Sequence, residues 1–181
     1  MANTSGQAFA LMTASPVLGG RAPTLRTYLR RLPTGEKSPL ARLGTTHFAR
    51  WLVIDDLVYQ GPPQVREHLK SSYLIFVSNF DGPLGSYIDA IARLMPVEAD
   101  AIWGHCVGYP GAADPTAFAG FVQRNQIDTT FFVSAYPDAS VAQVRESLRA
   151  RERFTNFAVS VQGTDPAALR RAFTARFPVP A

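Results

Sequence analysis

The sequence predicts an α+β fold organised on an antiparallel sheet. Two segments, 46–56 and 73–82, are dense in β-branched and aromatic residues and bounded by Gly, Pro and Asp, which is the composition of strands. Apolar residues before and after them recur instead at helical spacing. Neither strand segment alternates cleanly. Trp51 and Val53 fall on one face with Phe48, Leu52 and Ile54 on the other, and Leu74 and Phe76 oppose Ile75 and Val77 in the same way, so both faces of the sheet need cover.

In chain order, residues 7–17 form a first strand in which Phe9 and Leu11 alternate with small residues until Pro16 and the Gly19-Gly20 pair end it. Pro23 suits a first helical turn, and Leu25, Tyr28, Leu29 and Leu32 recur at helical spacing while Arg26, Arg30 and Arg31 point elsewhere. Residues 33–39 make a turn. The second strand, 45–56, is followed by a connection at 60–72 that carries Gly61-Pro62-Pro63 and is longer than a tight hairpin needs. The third strand, 73–79, leads through Pro83 and Gly85 to a helix striped by Tyr87, Ile88, Ile91 and Leu94, with Ser86 and Asp89 in capping-box register. Residues 101–111 are glycine-punctuated and read as irregular.

Asp114-Pro115 then opens a short helix bearing Phe118, Phe121 and Val122. Residues 128–136 read as a fourth strand, apolar on both faces through Phe131, Phe132 and Val133. Ser140 with Gln143 caps a helix running to about Arg153, and Asp165-Pro166 opens the last helix. The order β-α-β-β-α, insertion, β, then helices matches a ferredoxin-like βαββαβ antiparallel sheet with an insertion before its last strand and extra C-terminal helices. One domain is expected over 1–181, with a core at about 7–150 and a helical extension at about 151–181.

Composition narrows the function classes. An apolar fraction of 46% in 181 residues suits an ordinary core, and the formal charge of +4 reads as thinly spread, implying no polyanion partner. The strands carry no basic residue except Arg50, unlike an RNA-binding ferredoxin-like module, so no nucleic acid is expected. Cys106 is the sole cysteine, and no internal disulfide fits a reducing cytoplasm. No secretion signal is visible, and no apolar run approaches the ~20 residues of a membrane span. A soluble, cytoplasmic protein follows as the expectation. Phosphate-loop, dinucleotide, zinc-protease and serine-hydrolase motifs are all missing.

In a ferredoxin-like unit both helices lie on one face, and here the other face is apolar well beyond the few hundred Å² that monomers tolerate. Its cover must be the chain's own extra helices, a second copy, or a flat apolar ligand. At about 25 cal/mol per Å², covering it is worth several kcal/mol. On element order over 7–148 the chain resembles the dimeric α/β-barrel superfamily, whose members pair two such sheets around a ligand cavity. Asn79-Phe80-Asp81-Gly82 is similar to the tail of the Gly-x-x-Asp-Gly segment of the dye-decolourising peroxidases in that superfamily, with Ser78 standing where those have Gly. The resemblance implies a homodimer, an apolar small molecule or haem as ligand, and oxidoreductase chemistry of peroxidase or monooxygenase type.

The candidate catalytic residues are Arg50, Asp81 and His105, expected to converge on one cavity. Arg50 shares its face with Phe48, Leu52 and Ile54, where it holds a peroxide, a carboxylate or a haem propionate, or else pairs with Asp81 or Asp55. His105 reads as axial haem-iron ligand or general base, or else as a hydrogen-bonded packing residue, the commoner fate of a lone histidine. Asp81 shuttles a proton or closes a turn. His47, three residues from Arg50 on one strand and so on the opposite face, is the further cofactor-binding candidate. Cys106 reads as an inert buried thiol, His68 as an exposed loop residue, and Asp55-Asp56 as a strand end that makes a weak metal signal. Two other readings stand beside this one: a cofactor-free monooxygenase or cyclase, and a non-catalytic accessory subunit that binds a protein partner through the sheet face and the Arg-rich helix at 140–153.

Overall fold

The structure, a computed structural model, describes residues 3–178. It is α+β, and the chain divides into two compact units, Met1–Ala142 and Gln143–Ala181. In the first, strands β1 (Thr4–Ser5), β2 (Ala8–Pro16), β3 (Thr46–Ile54) and β4 (Tyr73–Asp81) form one open antiparallel sheet in the order β1-β2-β4-β3. The helix α1 (Ala22–Arg31) carries the chain from β2 to β3, and β4 then returns between them, so the crossover is split by a strand.

Register explains which side chains meet. Thr13, Phe76 and Trp51 form one row across β2, β4 and β3, and Ser15, Leu74 and Val53 form the next on the same face. That face is covered by α1, α2 (Leu84–Leu94), α3 (Pro96–Trp103) and α4 (Pro115–Arg124), whose Leu25, Ile88, Ile91, Trp103, Phe118 and Phe121 join the strands in a single core. Trp51 stacks on Phe76 at 5.0 Å, Trp103 meets Phe76 edge-on at 5.4 Å, and Phe118 lies 5.5 Å beyond Trp103. Offset and edge-on rings at these separations suit the aromatic quadrupole. Tyr87 lies flat on Phe80 and places its hydroxyl between Ser78 Oγ at 2.7 Å and Thr46 Oγ1 at 3.1 Å. Those bonds keep three polar groups satisfied inside an apolar layer.

Three expectations need correction. Residues 128–136 make no strand; Phe131 and Val133 are exposed loop residues. The free edge of β2 is already taken there. The N-terminal hairpin folds back so that Asn3 C=O accepts Ala10 N–H and β1 pairs Thr4 with Phe9, leaving only Gln126 to bridge Thr13 further along. Ser5 Oγ and the Asn3 side chain instead catch single N–H groups of Ser134 and Thr129. The hairpin turn needs Gly6, whose φ is +59° and where a Cβ would lie 2.0 Å from the Pro137 carbonyl oxygen. Residues 96–103, read as irregular in part, form α3, begun by Pro96 in its first turn. Finally, α2 starts at Leu84, so Ser86 is not its cap.

Asp114 does cap α4, accepting the N–H groups of Thr116 and Ala117. Helix α5 (Val141–Ser160) runs past Arg153, and α6 (Pro166–Arg176) is capped by Asp165. Within the second unit Phe154, Phe157, Phe173 and Phe177 pack ring against ring at 5.2–6.0 Å. Charge is not thinly spread. Residues 143–181 hold seven Arg against Glu146, Glu152 and Asp165, a formal +4 that equals the charge of the whole chain and leaves 1–142 formally neutral.

Candidate functional site

The sheet's second face lies opposite α1 to α4. Its rows are Ala10, Asn79, Phe48; Met12, Val77, Arg50; Ala14, Ile75, Leu52; and Pro16, Tyr73, Ile54. On β3 this face is left to solvent, with Phe48 77%, Leu52 43% and Ile54 39% exposed. β2 contributes Ala10, Met12, Ala14 and Pro16 to this face, and the bulky exposed residues of β3 make a rim along its edge. Arg50 stands in that rim and makes no ion pair among the described residues. The partners weighed for it are engaged elsewhere: Asp55 binds Arg26 at 2.6 Å, and Asp81 binds His47.

A β-bulge between Thr46 and Phe48 decides where His47 goes. Thr46 pairs with Phe80 and Phe48 with Asn79, so one step on β4 is matched by two on β3 and His47 is the extra residue. Simple alternation sends His47 to the face opposite Arg50; the bulge turns it to the same face, where its Nε2 lies 2.7 Å from Asp81 Oδ1. The other carboxylate oxygen, Asp81 Oδ2, accepts the Val141 N–H at 2.7 Å. Both side chains are mostly buried, at 19% and 14% exposure. Arg50 sits opposite Val77, four residues along β4 from Asp81, or about 13 Å at the usual strand rise.

His105 does not join them. It follows α3 in the turn that brings Cys106 into a bridge with Val17, just past the far end of β2, and its C=O accepts the Leu18 N–H. Asp81 pairs with Ala8 at the other end of β2, nine residues away, or about 30 Å. The expected convergence of Arg50, Asp81 and His105 is therefore corrected: Asp81 meets His47, Arg50 lies further along the same face, and His105 is at the far end of the sheet. Burial, and then the nearby Arg21 guanidinium, lower the His105 pKa, while Nδ1 is buried with no hydrogen-bond partner among the described residues. His47 is the histidine placed beside Asp81 on the open face, its Nε2 held by that carboxylate.

Other carboxylates tie loops together. Asp56 accepts from His68 and from the N–H groups of Leu57 and Leu69, which hold its carboxyl down at about 2 and tie the 57–72 connection. Asp100 Oδ1 accepts from both Tyr109 OH and Ala112 N–H, pinning the glycine-rich turn. Among the described residues no group of three His, Cys, Asp or Glu side chains is placed to hold a metal ion. Burial pushes the Cys106 thiol up to about 12. Native protein at pH 8 is therefore expected to leave Cys106 unmodified by a disulfide reagent over hours and to react fully in denaturant, because the thiolate is the reactive form. Rapid labelling of the native fold contradicts that burial.

No family model, no curated protein and no solved structure matches the chain. Among the described residues no helix is long and apolar enough to cross a membrane.

Proposed function

We propose that the open sheet face is where this protein acts: two copies close over it as in a dimeric α/β barrel of ferredoxin-like units and hold an apolar small molecule between their sheets. The supporting observation is the exposure of Phe48, Leu52 and Ile54 around a cation, Arg50, that has no ion-pair partner among the described residues. An apolar rim in water costs free energy that a partner sheet recovers, and an unpaired guanidinium within it suits an anionic or polarised group on the ligand.

The polar groups suit proton abstraction. Asp81 fixes the His47 ring through Nε2 and balances the charge it gains, which leaves Nδ1 to take a proton from an acidic C–H or O–H of the bound molecule, while Arg50 stabilises the resulting anion. That is the opening step of cofactor-free monooxygenation, and of the oxidoreductase chemistries expected from the sequence it is the one these residues support. Sedimentation velocity at micromolar concentration, with and without an apolar fluorophore, tests the reading. Wild type is expected to be a dimer that binds the dye, and Phe48→Asp a monomer that does not. A wild-type monomer that ignores the dye refutes it.

An accessory-subunit reading draws on a different observation, the +4 charge gathered in residues 143–181. It requires that reversing Arg149 and Arg153 to Glu abolishes association with an acidic partner while dye binding at the sheet is untouched.

A further inference from the structure

Away from the sheet's open face, the turn after α1 forms a groove. One cavity of about 350 Å³ has Tyr28, Leu32 and Pro39 in its floor and Arg31, Lys37, Arg42 and Glu98 around it. A second, of about 410 Å³, shares Tyr28 and Arg31 and continues along α1 past Thr24 and Thr27. Together they match the size range of small-ligand sites, roughly 300–1,000 Å³. Both lie wholly within the first unit.

The charges here are arranged rather than scattered. Arg42 is held from two sides, donating through Nε to Pro39 C=O and through a terminal nitrogen to Glu98, which leaves its remaining N–H groups available at a fixed place. Arg31 and Lys37 have no ion-pair partner among the described residues. Lys37 is one of only two lysines in the chain. Three cations against one carboxylate give the groove a formal +2. The half-buried Tyr28 phenol has its pKa raised by burial and then by Glu98, so it stays a neutral donor beside an apolar floor.

We infer that this groove binds a phosphomonoester that carries a flat apolar group, the phosphate lying between Arg31, Lys37 and Arg42 and the ring on Tyr28, Leu32 and Pro39. Charge selects the phosphate. A phosphomonoester carries about −1.5 to −2 at neutral pH and balances the groove, whereas a monocarboxylate leaves it cationic. The floor selects the apolar substituent, since inorganic phosphate leaves it in water. This site is independent of the proposed sheet-face function.

Phenyl phosphate is the probe, titrated into the full-length protein by calorimetry and by NMR. Saturable binding with shifts at Tyr28 and Lys37 is expected, at least tenfold tighter than inorganic phosphate or benzoate. Arg31→Gln combined with Lys37→Gln is expected to weaken it tenfold or more without altering the circular dichroism, and Phe48→Asp to leave it unchanged. Equal affinity for inorganic and phenyl phosphate overturns the inference, as does an unaltered affinity in the double variant or the absence of any shift at Tyr28.

Discussion

Replacing Trp103 with alanine is expected to cost about 3–5 kcal/mol, the usual range for removing a large buried aromatic side chain. Trp103 is 1% exposed and is the ring through which the sheet and the helices meet: Trp51 and Phe76 reach it from β3 and β4, Phe118 from α4. No neighbour can close the space, because Phe76 is pinned in a paired strand and Phe118 in a helix that also carries the Phe121 contact. Against a typical domain stability of about 5–15 kcal/mol the loss removes roughly a fifth or more of the total. Urea titration followed by far-ultraviolet circular dichroism is expected to show a sharply lower midpoint with the slope retained, and Trp103→Phe a much smaller decrease. A Trp103→Ala protein within about 1 kcal/mol of wild type shows that this aromatic layer is not the centre of the core.

Much of this architecture is legible in the chain because local signals and packing agree. The three long strands, the stripe of α1 and the Asp-Pro starts of α4 and α6 need no tertiary information, since composition, spacing and caps all point one way. The segment 128–136 fails for the opposite reason. Phe131, Phe132 and Val133 carry strand propensity, but pairing needs a vacant edge, and a two-residue N-terminal strand too short to register in the sequence occupies it. Helix α3 was hidden because its stripe is brief and the glycines that follow it dominate the window. For the site, alternation placed Arg50 on the open face correctly. It misplaced His47, since a bulge adds one residue without any composition of its own when both faces of the strand are apolar. His105 stands out in the sequence through its neighbours, and those neighbours, Trp103 and Cys106, belong to the core rather than to the open face.

Asp81→Ala is expected to lose about 2–3 kcal/mol, because it strips an acceptor from two donors at once in a mostly buried place. His47 Nε2 and the Val141 N–H both lose their shared acceptor, and the side chain that held the bulge residue against β4 is gone. Asp81→Asn is expected to cost less, roughly 1 kcal/mol, since its amide oxygen still accepts one of the two N–H groups. His47→Ala removes one donor and leaves the Val141 bond intact, so it should fall between wild type and Asp81→Ala. The double variant separates the contributions: if the pair acts as a unit, combining His47→Ala with Asp81→Ala costs about 1 kcal/mol less than the sum of the single losses. Denaturation midpoints of the four proteins decide this, with Val141 amide exchange as a second readout that should accelerate in Asp81→Ala and stay slow in His47→Ala. Strict additivity, with no change in Val141 exchange, means that the His47–Asp81 bond fixes neither the bulge nor the start of α5. The imidazole would then lack the support that a general base on the open face requires, because a ring free to turn holds no proton-accepting nitrogen in place.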